Sequence, residues 1–401
     1  MKGNALTGLG AIVVALLLTN WGYPVVVPSA AAEPSVTQGT LPLQRQVEAV
    51  PTELLLDSQL WGGATGKGDR AALLKAIDHS LQYLKTPAAA KAYAQYPVKE
   101  ISRERVQQSL IRFRSLLQTV DSPAALQLAI QKEFVLYRAI GKDGQGTVSF
   151  TGYFEPTYQA SRTPNDRFRY PLFRRPPDLD EWSKPHPTRL QLEGADGLQS
   201  QFGPLQGLEL VWLSDRLEAF LVQVQGSARF RLIQGGEMTV GYAGRTNYPY
   251  TSPGREVVRD GKISPDNLTL PVLIAYFRLH PTELDTYLPR NRSFIFFRET
   301  NGAAPTGSLR VPVTPERTIA TDKSLMPPGA LALINTPLPF RNEAGEWEMR
   351  PVNRYVLDQD TGSAIKGAGR VDIFMGTGTE AGDRAGLINS SGQLYYLLLK
   401  N

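Results

Sequence analysis

Val371-Asp372-Ile373-Phe374-Met375-Gly376-Thr377-Gly378 is the stretch most informative about the fold of this 401-residue chain, because one carboxylate interrupts an apolar run that ends in glycines. A short apolar run bounded by glycine is typical of a strand in an all-β domain. Burial between Val371 and Ile373 would raise the pKa of Asp372, which suits a catalytic acid that must keep its proton near neutral pH. Backbone N–H groups of the glycine loop are an equally good explanation, with Asp372 in a structural role.

The glycine-rich segment from Gly376 to Gly386 looks at first like a phosphate-binding loop. A dinucleotide site also needs a β-α-β unit and an acidic residue about 20 residues further on. Too little chain follows Gly376 for that unit. We therefore interpret the glycines as tight turns around the end of the strand.

From Gly146 onward, short apolar runs alternate with Gly, Pro, Asn and Asp, a texture typical of sandwiches and barrels. The alternation from Phe220 to Ile233, with Gly226-Ser227 at its centre, predicts a β-hairpin with one polar face. Such a face suits sugar binding, although a solvated outer face is its commoner meaning. A helix is predicted over Leu270 to Leu279. Further strands are predicted at Phe294–Phe297, Leu309–Val313, Ala330–Ile334, Tyr355–Leu357, Val371–Phe374 and Leu394–Leu399.

The region from Asp69 to Tyr137 has a helical pattern instead. Ser122-Pro123 is a cap followed by proline at the first helical position, and it predicts a helix that continues through Phe134. Residues 33–51 are rich in Pro, Ser, Thr and Gln, and we interpret them as a linker. The apolar stripes of the first helices consist of Leu73, Leu74, Ile77, Leu81 and Leu84, and of Val106, Leu110, Phe113, Leu117 and Val120.

Residues 1–32 match a signal peptide, since Lys2 precedes an apolar run from Leu9 to Leu18 and small residues follow at Ser29-Ala30-Ala31-Ala32. The apolar run is short for a membrane span of about 20 residues. The chain contains no cysteine that could be acylated in a lipoprotein. We therefore expect an exported, periplasmic protein that faces the cell wall, without support for outer-membrane lipoprotein anchoring.

The amino-acid composition excludes several kinds of binding and catalytic site. Hydrophobic residues at 42% and charged residues at 20% are typical of a globular protein. The net charge of +5 comes from basic residues spread along the chain, so nucleic-acid binding is not expected. His79, His186 and His280 are too scattered for a metal site or a catalytic triad, and thiolate chemistry needs cysteine. Carboxylates remain as candidate acid catalysts, and no metal or organic cofactor is expected.

Four separated motifs occur in order in the second half of the chain. They are Thr151-Gly152-Tyr153-Phe154-Glu155-Pro156, Gln223-Val224-Gln225-Gly226-Ser227-Ala228-Arg229, Gly241-Tyr242-Ala243-Gly244-Arg245-Thr246-Asn247 with Pro249-Tyr250-Thr251, and the segment from Asp360 to Gly386. Together they resemble the membrane-bound lytic murein transglycosylase A family. One departure is the missing cysteine, because members of that family are often lipoproteins.

The resemblance implies a mainly β protein with N-terminal helices, in which a double-psi β-barrel (the 3D domain) and a second, inserted β-barrel face each other across a substrate groove. On this chain it implies a helical segment at 52–155 that leads into the first barrel, the inserted barrel at 156–300 and the 3D domain at 301–401. The family's catalytic aspartate falls on Asp372, and Asp360 matches another aspartate of the motif.

The resemblance also implies a reaction on the bond between muramic acid and glucosamine, in which the C6 hydroxyl of muramic acid attacks C1 and leaves a 1,6-anhydro end. Asp372 would act first as the acid and then as the base. Asp360 is a candidate for supporting the oxocarbenium-like state, although Gln359-Asp360-Thr361-Gly362 is a typical turn sequence and a capping role is at least as well supported.

The expected partner is the glycan strand of peptidoglycan, with cell-wall synthesis or division proteins as further candidates. Aromatic rings can pack on sugars, amides can bond hydroxyls, and arginine can pair with lactyl or peptide carboxylates. Two other functions fit the sequence: a non-catalytic wall-binding or wall-loosening barrel, and a hydrolysing muramidase that uses Asp360 or Glu380 as a second carboxylate. The substrate-binding candidates are Tyr153, Gln223, Gln225, Arg229, Tyr242 and Tyr248.

Overall fold

The computed structural model describes residues 41–48, 50–62 and 68–400. The predicted signal peptide, residues 1–32, and the first part of the predicted linker lie outside these residues. Among the helices of the described residues, none combines the length and the apolar character needed to cross a membrane.

The described part of the chain starts with helices and continues mainly with strands. The α-helices are α1 (Arg70–Leu84), α2 (Pro87–Ala94), α3 (Arg103–Thr119), α4 (Pro123–Glu133), α5 (Arg189–Glu193), α6 (Arg216–Gln225), α7 (Pro253–Arg259), α8 (Leu270–Leu279), α9 (Leu284–Tyr287) and α10 (Thr379–Leu387). The strands are β1 (Leu43–Arg45), β2 (Phe134–Ala139), β3 (Val148–Glu155), β4 (Thr157–Ser161), β5 (Tyr170–Phe173), β6 (Glu209–Leu213), β7 (Ser227–Leu232), β8 (Glu237–Arg245), β9 (Ile295–Glu299), β10 (Thr318–Ala320), β11 (Leu331–Arg341), β12 (Trp347–Asp360), β13 (Arg370–Thr377) and β14 (Asn389–Leu399).

Six strands form a closed barrel in the order β14-β11-β12-β10-β13-β3, and the pairing of β14 with β3 closes it. The pairs β10–β12 and β13–β3 are parallel. Alternate residues of these strands, such as Phe150, Ile319 and Val371, are fully buried in the main hydrophobic core. The expected mainly β fold with a barrel and a second sheet is confirmed.

The N-terminal helices pack on this barrel. Leu73 and Ile77 of α1 and Leu110 and Phe113 of α3 are fully buried in the same core as the barrel strands, as their spacing predicts. The strand β2 extends the sheet at β14, and β1 pairs with β2. The helical segment and the barrel therefore share one core.

Two sequence predictions at the N-terminal end were wrong. The helix predicted through Phe134 ends at Glu133, and Phe134 begins β2, because a run of large apolar residues there completes the sheet beside β14. The predicted linker 33–51 includes β1, in which Leu43 is buried and pairs with Ala139. Tertiary pairing overrides local composition in both cases.

A second sheet of six strands has the order β5-β6-β4-β7-β8-β9. A parallel bridge between Arg174, next to β5, and Phe297 of β9 brings its two edges together. Its own core contains Val211, Phe230 and Val240, all buried. β3 of the barrel runs almost directly into β4 of this sheet, with Pro156 between them, so the two sheets meet at the end of the β3 motif.

The hairpin predicted from Phe220 to Ile233 was wrong in its first half, which is the helix α6. The side chain of Asp215 accepts hydrogen bonds from two backbone N–H groups of the first turn, and Gly226 ends the helix in the left-handed conformation at φ 80°. Leu217, Phe220 and Leu221 form its buried face. The Val–Gln alternation is too short to outweigh two caps and a helical apolar stripe.

The strand predicted at Leu309–Val313 was also wrong, since this segment forms turns with one isolated bridge between Thr306 and Pro312. Arg310 has φ 60°, a backbone conformation that strands do not use. The predicted helix Leu270–Leu279 is confirmed as α8. It lies against α10, where Pro271 approaches Gly386 so closely that a side chain on Gly386 would meet the proline ring at 3.0 Å.

Arg317 ties the N-terminal segment to the barrel. The guanidinium is fully buried, with Nε 2.9 Å from Asp69 Oδ2 and Nη1 2.5 Å from Asp57 Oδ2. Nη1 also donates to the carbonyl of Tyr355 on β12. Burial opposes the charge of Arg317, yet the two carboxylates raise its pKa above its ordinary value. Removing one partner of this buried cluster is therefore expected to destabilise the fold.

Candidate active site

Four adjacent strands bring the two predicted aspartates into one row. Asp360 of β12, Ala320 of β10, Asp372 of β13 and Thr151 of β3 are successive register partners. Partners in register share a face of the sheet, so these side chains leave the barrel wall on the same side. A register shift after Ile319 places Asp360 opposite Ala320. Within this row, only the methyl group of Ala320 stands between the two carboxylates.

Asp372 lies on the outer face of β13. Its sequence neighbours Val371 and Ile373 are fully buried on the opposite face, because successive side chains of a strand alternate. The expectation that these two neighbours desolvate the carboxyl group was therefore wrong. The pKa of Asp372 is nevertheless raised to about 6, because burial on the outer face outweighs the hydrogen bond from Thr151 and the positive charge of Arg370.

A short chain of hydrogen bonds orients the carboxyl group. Arg370 Nη2 donates to Thr151 Oγ1 over 3.1 Å, and Thr151 Oγ1 donates to Asp372 Oδ1 over 2.8 Å. Among the described residues, no side chain or backbone group forms a hydrogen bond with Asp372 Oδ2. One oxygen is thus fixed by the protein, and the other is open to a ligand on the outer face.

Thr151→Val is expected to lower activity about tenfold or more, because it removes the hydrogen bond that orients the carboxyl group of Asp372. That bond favours the carboxylate, so its loss should raise the pKa of Asp372 above about 6 and move the alkaline fall in activity to higher pH. The pH dependence of kcat/KM measures both effects. Thr151→Ser keeps the hydroxyl and serves as the control; identical profiles for the Val and Ser variants would contradict this role of Thr151.

Asp360 has a fuller set of partners. Its Oδ1 accepts from the backbone N–H groups of Ser308 and Thr361, and its Oδ2 accepts from the Tyr153 hydroxyl, each over 2.8 Å. Burial raises the pKa of Asp360, although these hydrogen bonds oppose the shift. Gly307 lies directly beside it, since a side chain there would come within 3.2 Å of the carboxyl carbon. Asp360 therefore caps two backbone segments and holds Tyr153.

Tyr153 is half-buried beside Asp360. Its ring packs against Phe374, its register partner on β13, with centroids 5.2 Å apart. Its hydroxyl donates to Asp360, and burial raises the pKa of that hydroxyl well above its ordinary value. Tyr153 is thus a neutral hydrogen-bond donor to Asp360.

The end of the β3 motif contacts α6 and β7. Gln225 Oε1 accepts from the backbone N–H of Phe154 over 3.0 Å. Glu155 is buried, accepts from Thr377 Oγ1 over 2.9 Å and lies 4.0 Å from Arg229 Nε. Burial raises the pKa of Glu155. These contacts fasten the second sheet to the strand that carries Thr151.

Two family models match the chain: "MltA specific insert domain" over residues 149–298 and "3D domain" over residues 317–398. The membrane-bound lytic murein transglycosylase A of Vibrio cholerae is 31% identical over 292 residues, which cover 71% of this chain and 74% of that protein. The protein of the same name from Escherichia coli K12 is 31% identical over 261 residues, 64% of this chain and 67% of that protein. The chain belongs to the membrane-bound lytic murein transglycosylase A family.

Solved structures of this family have the same fold. A membrane-bound lytic murein transglycosylase from Agrobacterium tumefaciens matches with a TM-score of 0.61 and 28% identity, over 78% of this chain and 91% of that one. Escherichia coli MltA with bound chitohexaose matches with a TM-score of 0.66 and 25% identity, over 90% of this chain and 96% of that one. That relative therefore accommodates a six-sugar glycan on this fold.

The remaining binding candidates of this transglycosylase-family chain occupy different environments. Tyr242 is 47% exposed on β8. Gln223 is buried, and its Oε1 accepts from Arg189 Nη2 and from the Ile295 N–H. Tyr248 is buried, and its hydroxyl donates to a backbone carbonyl over 2.6 Å. Gln223 and Tyr248 thus form internal hydrogen bonds, whereas Tyr242 is open to solvent.

Sequence reasoning missed the residues that control Asp372. Thr151 lies inside the first family motif but was not singled out, and Arg370 lies outside the quoted strand. Their roles depend on the parallel pairing of β3 with β13 across 221 residues of sequence. The local signals were a hydroxyl residue in the first motif and an arginine in the fourth. In the described ranges, no group of three or more His, Asp or Glu side chains is placed to hold a metal ion.

Proposed function

We propose that Asp372 is the single acid–base group of a lytic transglycosylase reaction on peptidoglycan. The family assignment makes the chain a lytic transglycosylase, and the observation that supports Asp372 is its environment. It has a raised pKa of about 6, one oxygen fixed by Thr151 and one oxygen open on the outer face of the barrel. A group of this kind can hold a proton and deliver it in a fixed direction.

In the proposed first step, protonated Asp372 gives its proton from Oδ2 to the glycosidic oxygen between muramic acid and glucosamine. The C1–O bond breaks through an oxocarbenium-like state, and glucosamine leaves with its hydroxyl restored. The carboxylate then takes the proton of the muramic acid C6 hydroxyl, whose oxygen bonds to C1. The proton count balances, and Asp372 ends protonated as it began.

An internal nucleophile explains why one carboxylate suffices. A well-oriented group on the same molecule has an effective concentration on the order of 10⁵ M or more. The C6 hydroxyl belongs to the ring that reacts, so no second side chain is needed to activate water. Thr151, which accepts a hydrogen bond from Arg370, holds the carboxylate where it can serve both transfers.

The carboxylates around Asp372 do not favour the hydrolysing alternative. Asp360 lies two strands away, about 9.5 Å between backbones, but both of its oxygens already hold donors. Glu155 lies four residues beyond Thr151 on β3, about 13 Å along the strand. Glu380 is exposed at the start of α10. Glycosidases that use water place the second carboxylate within about 9.5 Å, with an oxygen free for that water.

Asp360 supports the site through Tyr153 and through its charge. When Asp360 is ionised, its negative charge raises the pKa of Asp372, which helps Asp372 keep its proton. The same charge favours the positive oxocarbenium-like state over the neutral substrate. The capping role and the electrostatic role therefore belong to the same side chain.

The pH dependence of the reaction should report Asp372. Protonated Asp372 is the active form of the free enzyme, so kcat/KM should be highest below pH about 6 and fall about tenfold per unit well above it. The measurement is the initial rate of soluble fragment release from purified peptidoglycan, taken at pH values from about 4.5 to about 8 in steps of about half a pH unit. A rate that rises through pH 6 would contradict the assignment of Asp372 as the acid.

The glycan strand is proposed to bind on the outer face of the barrel, between it and the second sheet. The ring of Tyr153 packs on Phe374, two residues beyond Asp372 on β13, and Gln225 and Arg229 lie where the two sheets meet. Tyr242 supplies an exposed ring on the second sheet. Gln223 and Tyr248 are left out of this surface because both side chains are buried, and the Gln223 amide oxygen and the Tyr248 hydroxyl already form internal hydrogen bonds.

Export to the periplasm is proposed for the chain, because the substrate lies outside the cytoplasm and residues 1–32 match a signal peptide. The named relatives are membrane-bound, whereas this chain has no cysteine to acylate. Cell-wall synthesis or division proteins stay proposed partners. Release of soluble fragments from purified peptidoglycan separates an enzyme from a wall-binding protein, which would bind the polymer without dissolving it.

A further inference from the structure

A small cavity lies between the second sheet and the helices α5 and α6, apart from the barrel strand that carries Asp372. Its volume is about 10 Å³, so it has room for one monatomic or water-sized occupant and for no organic molecule. Phe220 and Leu288 belong to its apolar side. Two buried arginines also line it, Arg189 of α5 and Arg216 of α6, and they differ in how far the protein satisfies them.

Arg189 uses all three of its guanidinium nitrogens within the fold. Nη1 donates to Glu193 Oε1 over 3.0 Å, and Nη2 donates to Gln223 Oε1 over 2.6 Å and to the Ser293 carbonyl over 2.9 Å. Nε donates to the Asn291 carbonyl over 3.1 Å. Protein groups therefore satisfy both the charge and the nitrogen donors of Arg189.

Arg216 is only 7% exposed, but the protein satisfies it in part. Its Nη1 contacts Asp285, whose side chain is 50% exposed. Its Nε and Nη2 are buried and form no hydrogen bond with any group of the described residues. Gly197 lies against this guanidinium, since a side chain on Gly197 would come within 2.8 Å of Nε. A buried charged donor without an acceptor is costly, so these two nitrogens indicate a ligand site.

Gln223 supplies a third free donor to the same cavity. Its Oε1 accepts from Arg189 Nη2 and, over 3.3 Å, from the Ile295 N–H. These two donors fix the orientation of the amide, and its Nε2 has no acceptor in the part of the chain that the structure describes. The side chain is buried and lines the cavity. Arg216 and Gln223, two turns apart on α6, thus border one space with unused N–H donors.

The charges around the cavity favour an anion over a neutral occupant. Glu193 also lines the cavity, but Arg189 already pairs with this carboxylate. Asp285 is half-exposed, so solvent screens its attraction for Arg216. Burial lowers the pKa of Arg216, and the two carboxylates do not offset that shift. Two buried cations thus face one buried carboxylate, and a bound anion would remove the imbalance.

We propose that the cavity beside Arg216 and Gln223 binds one small monovalent anion of the size of chloride. The ion accepts from Arg216 Nε and Nη2 and from Gln223 Nε2. The helix α6 begins at Arg216 and ends at Gln225, whose Oε1 accepts from the backbone N–H of Phe154 on β3. Anion binding therefore stabilises the helix that fastens the second sheet to the strand carrying Thr151.

The test measures the midpoint of thermal unfolding while sodium chloride replaces sodium gluconate at constant ionic strength, because gluconate is too large for the cavity. The midpoint of the wild type is expected to rise by about 2 °C for each tenfold increase in chloride above the dissociation constant. Gln223→Glu keeps the Oε1 acceptor and places a carboxylate oxygen where Nε2 was, so Arg216 gains a fixed anion and the response to chloride should disappear. Gln206→Glu adds the same charge at an exposed position and should respond like the wild type.

A second measurement needs no variant and decides the matter if Gln223→Glu does not fold. Crystals of the wild type grown in sodium bromide are expected to show an anomalous-scattering peak within hydrogen-bond distance of Arg216 and Gln223. An unfolding midpoint that ignores chloride, or an equal response in Gln223→Glu and the wild type, would overturn the proposal. A cavity without bromide would also contradict it, and would mean that water completes the hydrogen bonds of Arg216.

Discussion

Asp372→Asn is expected to lower the rate of product release from peptidoglycan by about 10³-fold, the range typical of losing a general acid and base. Asparagine keeps the size of the side chain and can still accept the hydrogen bond from Thr151, so the barrel should fold normally. The amide has no proton to give to the glycosidic oxygen and no charge to receive the one from C6. The rate is measured by chromatography of soluble fragments at pH about 5.5, below the pKa of Asp372.

The control for this variant is Asp266→Asn, which removes one negative charge from an exposed turn after α7. It should leave the rate unchanged. Binding of chitohexaose to Asp372→Asn should also persist, since the sugar-contacting surface is intact. A variant with more than about a tenth of the wild-type rate would sink the single-acid account, because general acid–base catalysis is worth at least about 10²-fold.

Arg317→Met is expected to lower the free energy of unfolding by about 3 to 5 kcal/mol, which is typical of breaking a buried ion pair from one side. The substitution removes the cation and leaves Asp57 fully buried and Asp69 mostly buried, without their partner. It also removes the donor to the Tyr355 carbonyl. Urea denaturation followed by circular dichroism gives the free energy of unfolding.

The matched control for that substitution is Arg103→Met on the surface of α3, where Arg103 pairs with the largely exposed Glu104. Exposed pairs of this kind contribute less than about 1 kcal/mol. If both substitutions cost the same small amount, the buried cluster does not hold the N-terminal segment on the barrel. A second variant, Asp57→Asn, tests the same contact from its other side.

The barrel strands could be predicted from the sequence because their signal is local. The runs around Ala332, Val356, Ile373 and Leu397 are apolar, short and bounded by turn residues, and each lies in a strand of the barrel. The apolar stripes of α1 and α3 could be predicted from the sequence for the same reason. Element type was therefore predictable wherever one face of an element meets the core.

The errors share a different cause. Phe220 to Gln225 alternates like a strand but has Asp215 and Gly226 as helix caps, so end signals decided the structure where the pattern was short. Phe134 continues a helical stripe in the sequence, but pairing with β14 makes it a strand residue. Neither long-range pairing nor the choice of cap can be judged from a window of a few residues.

The sequence was sufficient to predict the candidate catalytic residue, but not the groups that surround it. Asp372 could be singled out because a carboxylate in an apolar run is unusual. Its desolvation was assigned to Val371 and Ile373, which face the core, whereas burial on the outer face raises its pKa and Thr151, Arg370 and Asp360 modify that shift. Thr151 and Asp360 are placed by the register of neighbouring strands, and register depends on contacts far apart in sequence.

The most direct test of the account is mass spectrometry of the fragments that the wild-type protein releases from purified peptidoglycan in ¹⁸O-labelled water. The account predicts 1,6-anhydromuramic acid ends with no incorporated ¹⁸O, because the C6 hydroxyl of the substrate replaces water. Reducing muramic acid ends that carry ¹⁸O would contradict it, and would mean that a second carboxylate near Asp372 activates water.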